Sequence, residues 1–211
     1  MGERRFRRDA ERSRQAILDA AEGLFAELGF EAVSMERIGR AAGLSRGAPG
    51  YFFRTKDALY HAVLQRMFEH TEQLVAETRQ VLAAKQAGAP DGALEVVVSN
   101  LLDFLYERPA FMTLVERETL RRAGPMEGTR VHLSLLRTAL TLIVDELGYT
   151  VAATEAQQLL LSLLSLCWFP LAHRPLIRDL GGQLDRPFVE ARKRHVVTLM
   201  KAGLKSVKAT M

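Results

Sequence analysis

SMERIGRAAGLSRGAPGYFFRTK, residues 34–56, is the stretch on which the reading of this chain turns. Ser34 is a good helix N-cap, because its hydroxyl can accept from an otherwise unpaired backbone N–H one turn in. Met35, Ile38 and Ala42 follow at helical spacing and give a short helix one apolar face. Gly43 readily takes the left-handed conformation that closes a helix. Leu44 supplies an apolar anchor, and Ser45 is placed to cap a second helix. Two short helices joined by a glycine turn form the helix-turn-helix pattern, whose second helix enters the DNA major groove.

From a Ser45 cap, the second helix runs through Arg46, Gly47, Ala48, Pro49, Gly50, Tyr51, Phe52 and Phe53. Two glycines and a proline give it poor helix propensity, so packing on neighbours must hold it. Pro49 sits in the first turn, where a missing N–H does least harm. Small residues suit a backbone that must come close to something. Arg46 offers a bidentate donor suited to guanine or phosphate, and the Ala48 methyl suits a thymine methyl. Tyr51 carries an apolar ring with a polar tip. Thr55 is placed to cap the next helix, and both Thr55 and Lys56 lie where a phosphate is favoured. The same residues also fit a plainer helical hairpin, with Arg46 and Lys56 as solvated charges.

These motifs carry a resemblance. LFAELGFEAVS, then MERIGRAAGLSRG, then YFFRTKDAL, in that order and spacing, resemble the DNA-binding domain of TetR-type transcriptional regulators. The resemblance implies an all-α homodimer. Residues 1–56 would form a three-helix helix-turn-helix DNA-binding domain, and residues 57–211 a helical effector-binding and dimerisation domain. It implies a ligand-released repressor on a near-palindromic operator in double-stranded DNA. Ser45 to Phe53 would lie in the groove, with Arg46 and Ala48 on base edges and Gly47 allowing close approach. Ser34, Arg37, Thr55 and Lys56 would hold phosphates, and Tyr51 either partner. The family commonly has Tyr where this chain has Gly50 and Phe52, and Leu where it has Pro49. Those departures remove two phenolic hydroxyls, and they keep open a second class of function: a helical carrier or sensor of hydrophobic molecules without specific DNA reading.

Composition agrees with a folded helical protein. Of 211 residues, 48% are apolar and 26% charged. Residues 1–56 hold 11 Arg or Lys against 8 Asp or Glu, so +3 of the net +4 lies with the proposed reading head. The single Cys167 excludes an internal disulfide and a multi-cysteine metal site, and it fits a reducing, cytoplasmic setting. The arginine-rich start lacks the apolar core of a secretory signal. The longest apolar run, Leu159 to Leu171, is broken by Ser162, Ser165 and Pro170, and it falls short of the ~20 residues a bilayer needs. No membrane span is expected. His61, His70, His132, His173 and His195 are scattered, and there is no phosphate-binding loop, dinucleotide fingerprint or nucleophile elbow. The reading is therefore not an enzyme, with no catalytic residues, no metal and no cofactor.

Residues 1–14 contain six Arg against three acids. They fit a frayed, solvated arm and equally an arm reaching phosphates or the minor groove. A first helix is expected over 9–28, with Ile17, Leu18, Ala21, Leu24, Phe25 and Leu28 on one face. A long helix begins at Asp57 with a stripe of Leu59, Val63, Met67, Leu74, Thr78 and Val81, and KQAGAPDG ends it. Further helices are expected over 93–107, from Pro109, and over 127–147, 154–171 and 188–205. HRPLIRDLGGQLDRP, residues 173–187, reads as a loop. Phe104, Phe111, Met112, Val115, His132, Leu136 and Trp168 fit a cavity for an apolar or amphipathic effector, with Glu116 and His132 as its polar groups, and they also fit plain core. Leu160, Leu164, Val197 and Met200 are the candidate residues for an intersubunit four-helix bundle.

Overall fold

The computed structural model describes residues 2–84, 90–120 and 153–209, and the regular structure among them is helical. In chain order the helices are α1 (Gly2–Leu28), α2 (Met35–Ala41), α3 (Ala48–Phe53), α4 (Lys56–Ala84), α5 (Pro90–Glu107), α6 (Pro109–Leu120), α7 (Ala153–Ala172), α8 (Arg174–Asp179) and α9 (Arg186–Ala209). Proline stands in the first turn of α3, α5, α6, α8 and α9, where its fixed φ helps and its missing N–H is harmless. The helix expected over 127–147 lies outside the described residues. Among the differences from expectation, α1 reaches back to Gly2, and the loop expected over 173–187 contains α8.

The described helices fall into two compact units. One holds α1, α2, α3, α4 up to Glu69, and α6; the other holds the rest of α4 with α5, α7, α8 and α9. Sequence places a boundary after Lys56. By packing, the head unit instead extends to Glu69 and includes α6.

The head unit closes over Ile17, Leu18, Ala21 and Phe25 of α1, Ile38 of α2, Phe53 of α3 and Leu59, Val63 and Met67 of α4, all buried. Burying such a side chain is worth about 1.5–3 kcal/mol each, which is what lets helices as short as α2 and α3 persist. Tyr60 stands edge-on to Phe25 and Phe30 at centroid distances of 4.9 and 5.0 Å. Arg66 of α4 forks onto Asp19 and Glu22 of α1, at 2.6 Å each.

α6 joins the head through polar contacts. Arg117 donates from Nε to the Ala26 carbonyl (3.0 Å) and from Nη2 to the Glu27 carbonyl (3.1 Å). These are among the carbonyls that the end of α1 leaves without helical partners. Gly29, at φ +79°, turns the chain there, and a Cβ on it would stand 3.0 Å from Arg117 Nη1. The Tyr60 hydroxyl and the Glu118 carboxylate form a buried hydrogen bond.

In the second unit α5, α7 and α9 pack pairwise. Leu94, Val98, Leu102 and Leu105 of α5 meet an interior that also holds Leu163, Cys167 and Leu171 of α7 and Val189 and Val196 of α9. Val81 departs from the expected stripe of α4 and is 38% exposed, whereas Thr78 is buried, donating to the Leu74 carbonyl and accepting from Asn100.

Candidate nucleic-acid interface

α2 begins as its sequence predicts. Ser34 Oγ accepts from the Arg37 N–H at 3.2 Å, and Gly43 leaves the helix at φ +70°. α2 then lies directly on the turn that follows: a Cβ on Gly39 would be 2.6 Å from the Ser45 carbonyl oxygen. α3 is shorter than expected. Its first residue is Ala48, and Gly47 occupies the cap position without a side-chain cap bond. Ser45 contributes its carbonyl, which accepts from the Ala48 N–H at 3.1 Å, so its expected role as side-chain cap is corrected. The chain turns through residues 46 and 47 before the helix starts.

The sides of α3 are distinct. Pro49 and Phe53 are buried against the head, while Gly47, Gly50, Tyr51 and Arg54 are exposed. Gly47, Gly50 and Tyr51 are spaced i, i+3 and i+4, one stripe of a helix, and Arg54 is exposed in the turn that follows. Arg46 is exposed just ahead of them. Tyr51 is 79% exposed, and the Phe52 ring stands perpendicular to it at 5.2 Å, which limits the positions the tyrosine ring can take.

Arg54 occupies the turn out of α3 at φ 63°, ψ −54°, and the Thr55 N–H bonds back to the Phe53 carbonyl at 2.7 Å. This is a γ-turn of the rarer, strained kind. A non-glycine residue held there carries about 1–3 kcal/mol of strain, and its side chain is exposed. Thr55 caps α4 by accepting from the Ala58 N–H at 3.1 Å. Like Ser34, it keeps its hydroxyl proton for an outside acceptor.

Lys56 makes its contacts within the head. Its Nζ donates to the Phe30 carbonyl at 3.0 Å, approaches the Glu31 carbonyl at 3.5 Å, and sits 4.3 Å from the Phe30 ring centre. The ammonium is engaged in fastening α4 to the α1–α2 connection, because three acceptors within the head lie in its reach. Arg37 is exposed, and Ala48 is half-buried. Sequence reasoning missed Gly50 as part of the stripe, although counting from Gly47 at helical spacing finds it, and missed Arg54, which stands in the turn after the helix.

The remaining candidates lie elsewhere. Phe111 and Met112 are buried, and Val115 and Glu116 half-buried, on α6 in the head unit; Phe104 and Trp168 belong to the second unit. His132 and Leu136 lie outside the described residues. Leu160 and Met200, expected at a subunit interface, are 7% and 6% exposed and pack within their own unit; Leu164 and Val197 are half-buried. One residue along a helix turns its direction by about 100°, so the neighbours face outward: Leu161 is 55%, Phe169 49% and Leu199 45% exposed.

A two-helix turn with a packed inner side and an exposed arginine–glycine–tyrosine stripe defines a helix-turn-helix DNA-binding transcriptional regulator. Residues 17–63 match the family model described as bacterial regulatory proteins, tetR family. The chain is 34% identical over 167 residues to the HTH-type transcriptional repressor Rv1474c of Mycobacterium tuberculosis, covering 72% of this chain and 89% of that protein. It is 31% identical over 100 residues to the HTH-type transcriptional regulator AcrR of Shigella flexneri, covering 47% of this chain and 45% of that one. A TetR-like regulator from Rhodococcus shares the fold at TM-score 0.65 and 20% identity, over 92% of this chain and 96% of that one. FadR of Bacillus subtilis, solved with stearoyl-CoA, shares it at TM-score 0.62 and 18% identity, over 88% and 96%. The chain belongs to the TetR family of transcriptional regulators.

Proposed function

We propose that two copies of this chain bind a near-palindromic operator, each setting α3 into a major groove, and that an apolar or amphipathic effector releases them. The observation that carries this reading is the exposed stripe of α3, in which Gly47, Gly50 and Tyr51 stand on one side of a helix whose other side is buried, with Arg54 exposed in the turn after it. Arg46 and Tyr51 read base edges, Arg54 and Arg37 face the flanking backbone, and the Ser34 and Thr55 hydroxyls donate to phosphates. The copies pair through the outward apolar residues Leu161 and Phe169 of α7 and Leu199 of α9, which support the intersubunit bundle better than Leu160 and Met200 do. The effector occupies the helices of the second unit, near Phe104 and Trp168, and favours a head spacing that no longer matches successive grooves. A fold neighbour solved with an acyl-CoA supports an amphipathic class.

The test is a selection of random duplexes by the purified protein at physiological salt. An enriched palindrome is the expected result, and Leu161→Glu should abolish its two-fold symmetry together with the dimer. A folded protein that enriches no sequence overturns the reading.

A further inference from the structure

Pro170 stands inside α7, near its end. Proline has no N–H to donate to the carbonyl four residues back, and its ring presses on that carbonyl. Here the carbonyl is that of Leu166. Helices bend sharply at such places, because the local ladder is incomplete. Past the gap the chain closes normally, with the His173 N–H donating to the Phe169 carbonyl at 3.0 Å.

α9 supplies the missing donor. Arg192 donates to the Leu166 carbonyl from Nε at 3.0 Å and from Nη2 at 2.7 Å. Val189, Arg192 and Val196 are spaced i, i+3 and i+7 and so share one side of α9. Both valines are buried, and Arg192 is half-buried between them. An arginine on a core-facing side is costly unless its donors are met. The carbonyl that Pro170 leaves open meets two of them.

The gap in α7 also bears on its outward side. Leu161, Ser165 and Phe169 are exposed and follow at i, i+4 and i+8. Leu161 and Phe169 stand two turns apart, about 12 Å along the helix. The unmade bond from residue 170 to residue 166 spans the turn that carries Phe169, so the bend there sets the direction of Phe169 relative to Leu161. Resting on the pairing surface proposed above, we infer that Arg192 is a positioning residue for the association of two copies. Its two donors stand in for the N–H that Pro170 lacks and hold Phe169 in line with Leu161 for the partner copy.

The test is the dissociation constant of the full-chain dimer, measured by analytical ultracentrifugation. Arg192→Met removes a charge-assisted pair of hydrogen bonds and should weaken the dimer roughly ten-fold or more. With Pro170→Ala in place, a backbone N–H completes the ladder, and adding Arg192→Met should cost less than roughly two-fold. With Phe169→Ala in place, adding Arg192→Met should again cost less than roughly two-fold, because the ring it positions is gone. A residue that merely supports the fold would show its full loss in both backgrounds. That result, or an Arg192→Met dimer as tight as wild type, overturns the inference while the pairing surface stands. If Phe169→Ala alone leaves the dimer unchanged, the pairing surface falls and the inference with it. Should Arg192→Met fail to fold, the Pro170→Ala, Arg192→Met chain has its ladder complete and should fold and pair; its failure overturns the inference.

Discussion

Gly50→Ala should raise the stability of this protein and lower its affinity for its operator. Gly50 lies inside α3 with its backbone helical, and a Cβ built there meets nothing within 4 Å. The head thus has no steric need for glycine at this position. Alanine in its place recovers up to about 1 kcal/mol of helix propensity, which for a chain of this length raises the thermal midpoint by about 2–4 °C. What glycine offers is an outer surface one carbon lower, beside the exposed ring of Tyr51. If base edges pack against that surface, the added methyl separates helix and groove and weakens every interaction along the stripe. The expected loss is comparable to one mismatched base pair, about 1–3 kcal/mol, or roughly ten- to hundred-fold. Thermal denaturation and fluorescence anisotropy on the selected duplex and a scrambled one measure the two effects separately. Affinity for scrambled DNA should hold, because it rests on charge. An alanine variant that is more stable and binds the operator as tightly as wild type would refute close approach at Gly50.

Lys56→Met should reduce stability by about 1–2 kcal/mol through loss of a charge-assisted bond to the Phe30 carbonyl, and leave the salt slope of DNA binding unchanged; a slope reduced by about 0.9 with an unchanged thermal midpoint would return Lys56 to the phosphates. Arg117→Ala removes both donors from the end of α1, so hydrogen exchange should accelerate in the last turn of α1 and in α6 while α2 stays protected. Equal protection in the variant would show the pairing to be dispensable. Burial pushes the Cys167 thiol from 9.0 up to about 12, against a smaller opposing effect of the Arg192 guanidinium. The folded state therefore holds this proton more tightly than the unfolded state, and the resulting stability is complete below pH 9.0 and lost as pH rises toward about 12. Denaturation midpoints measured from about pH 8 to about pH 11 should fall more steeply for wild type than for Cys167→Ala, and parallel curves would contradict a buried thiol.

The helix-turn-helix was legible because its signals are local. A serine cap, a glycine at positive φ and apolar residues at helical spacing fix α2 without reference to the rest of the chain. The start of α3 was not legible, since Ser45 is a good cap by type but its carbonyl, not its hydroxyl, meets the helix. The face of α3 was half legible: Arg46, Gly47 and Tyr51 stand out chemically, whereas Arg54 is hidden in a turn that helix periodicity does not suggest. The extension of the head beyond Lys56 escaped sequence reasoning for a different reason. Arg117 and Glu118 lie about 90 and 60 residues from their partners, and nothing in a local pattern reports such a pairing. On α7 the apolar residues surround most of the helix, so periodicity alone could not say which leucines point outward.

Charge in the head acquires meaning only after each cation is matched to the acceptors within its reach. Arg66 lies against two carboxylates, Arg117 against the carbonyls closing α1, Lys56 against the loop that follows, and Arg14 over the Phe53 ring. These four hold the head together, and replacing them should appear first in stability. Arg8, Arg12, Arg37, Arg46 and Arg54 are exposed, and replacing them should appear first in the salt dependence or sequence preference of binding. A net charge of +4 cannot make that distinction. Geometry makes it, because an ammonium already surrounded by carbonyls gains little from a phosphate, whereas an exposed guanidinium releases condensed counterions when it meets one.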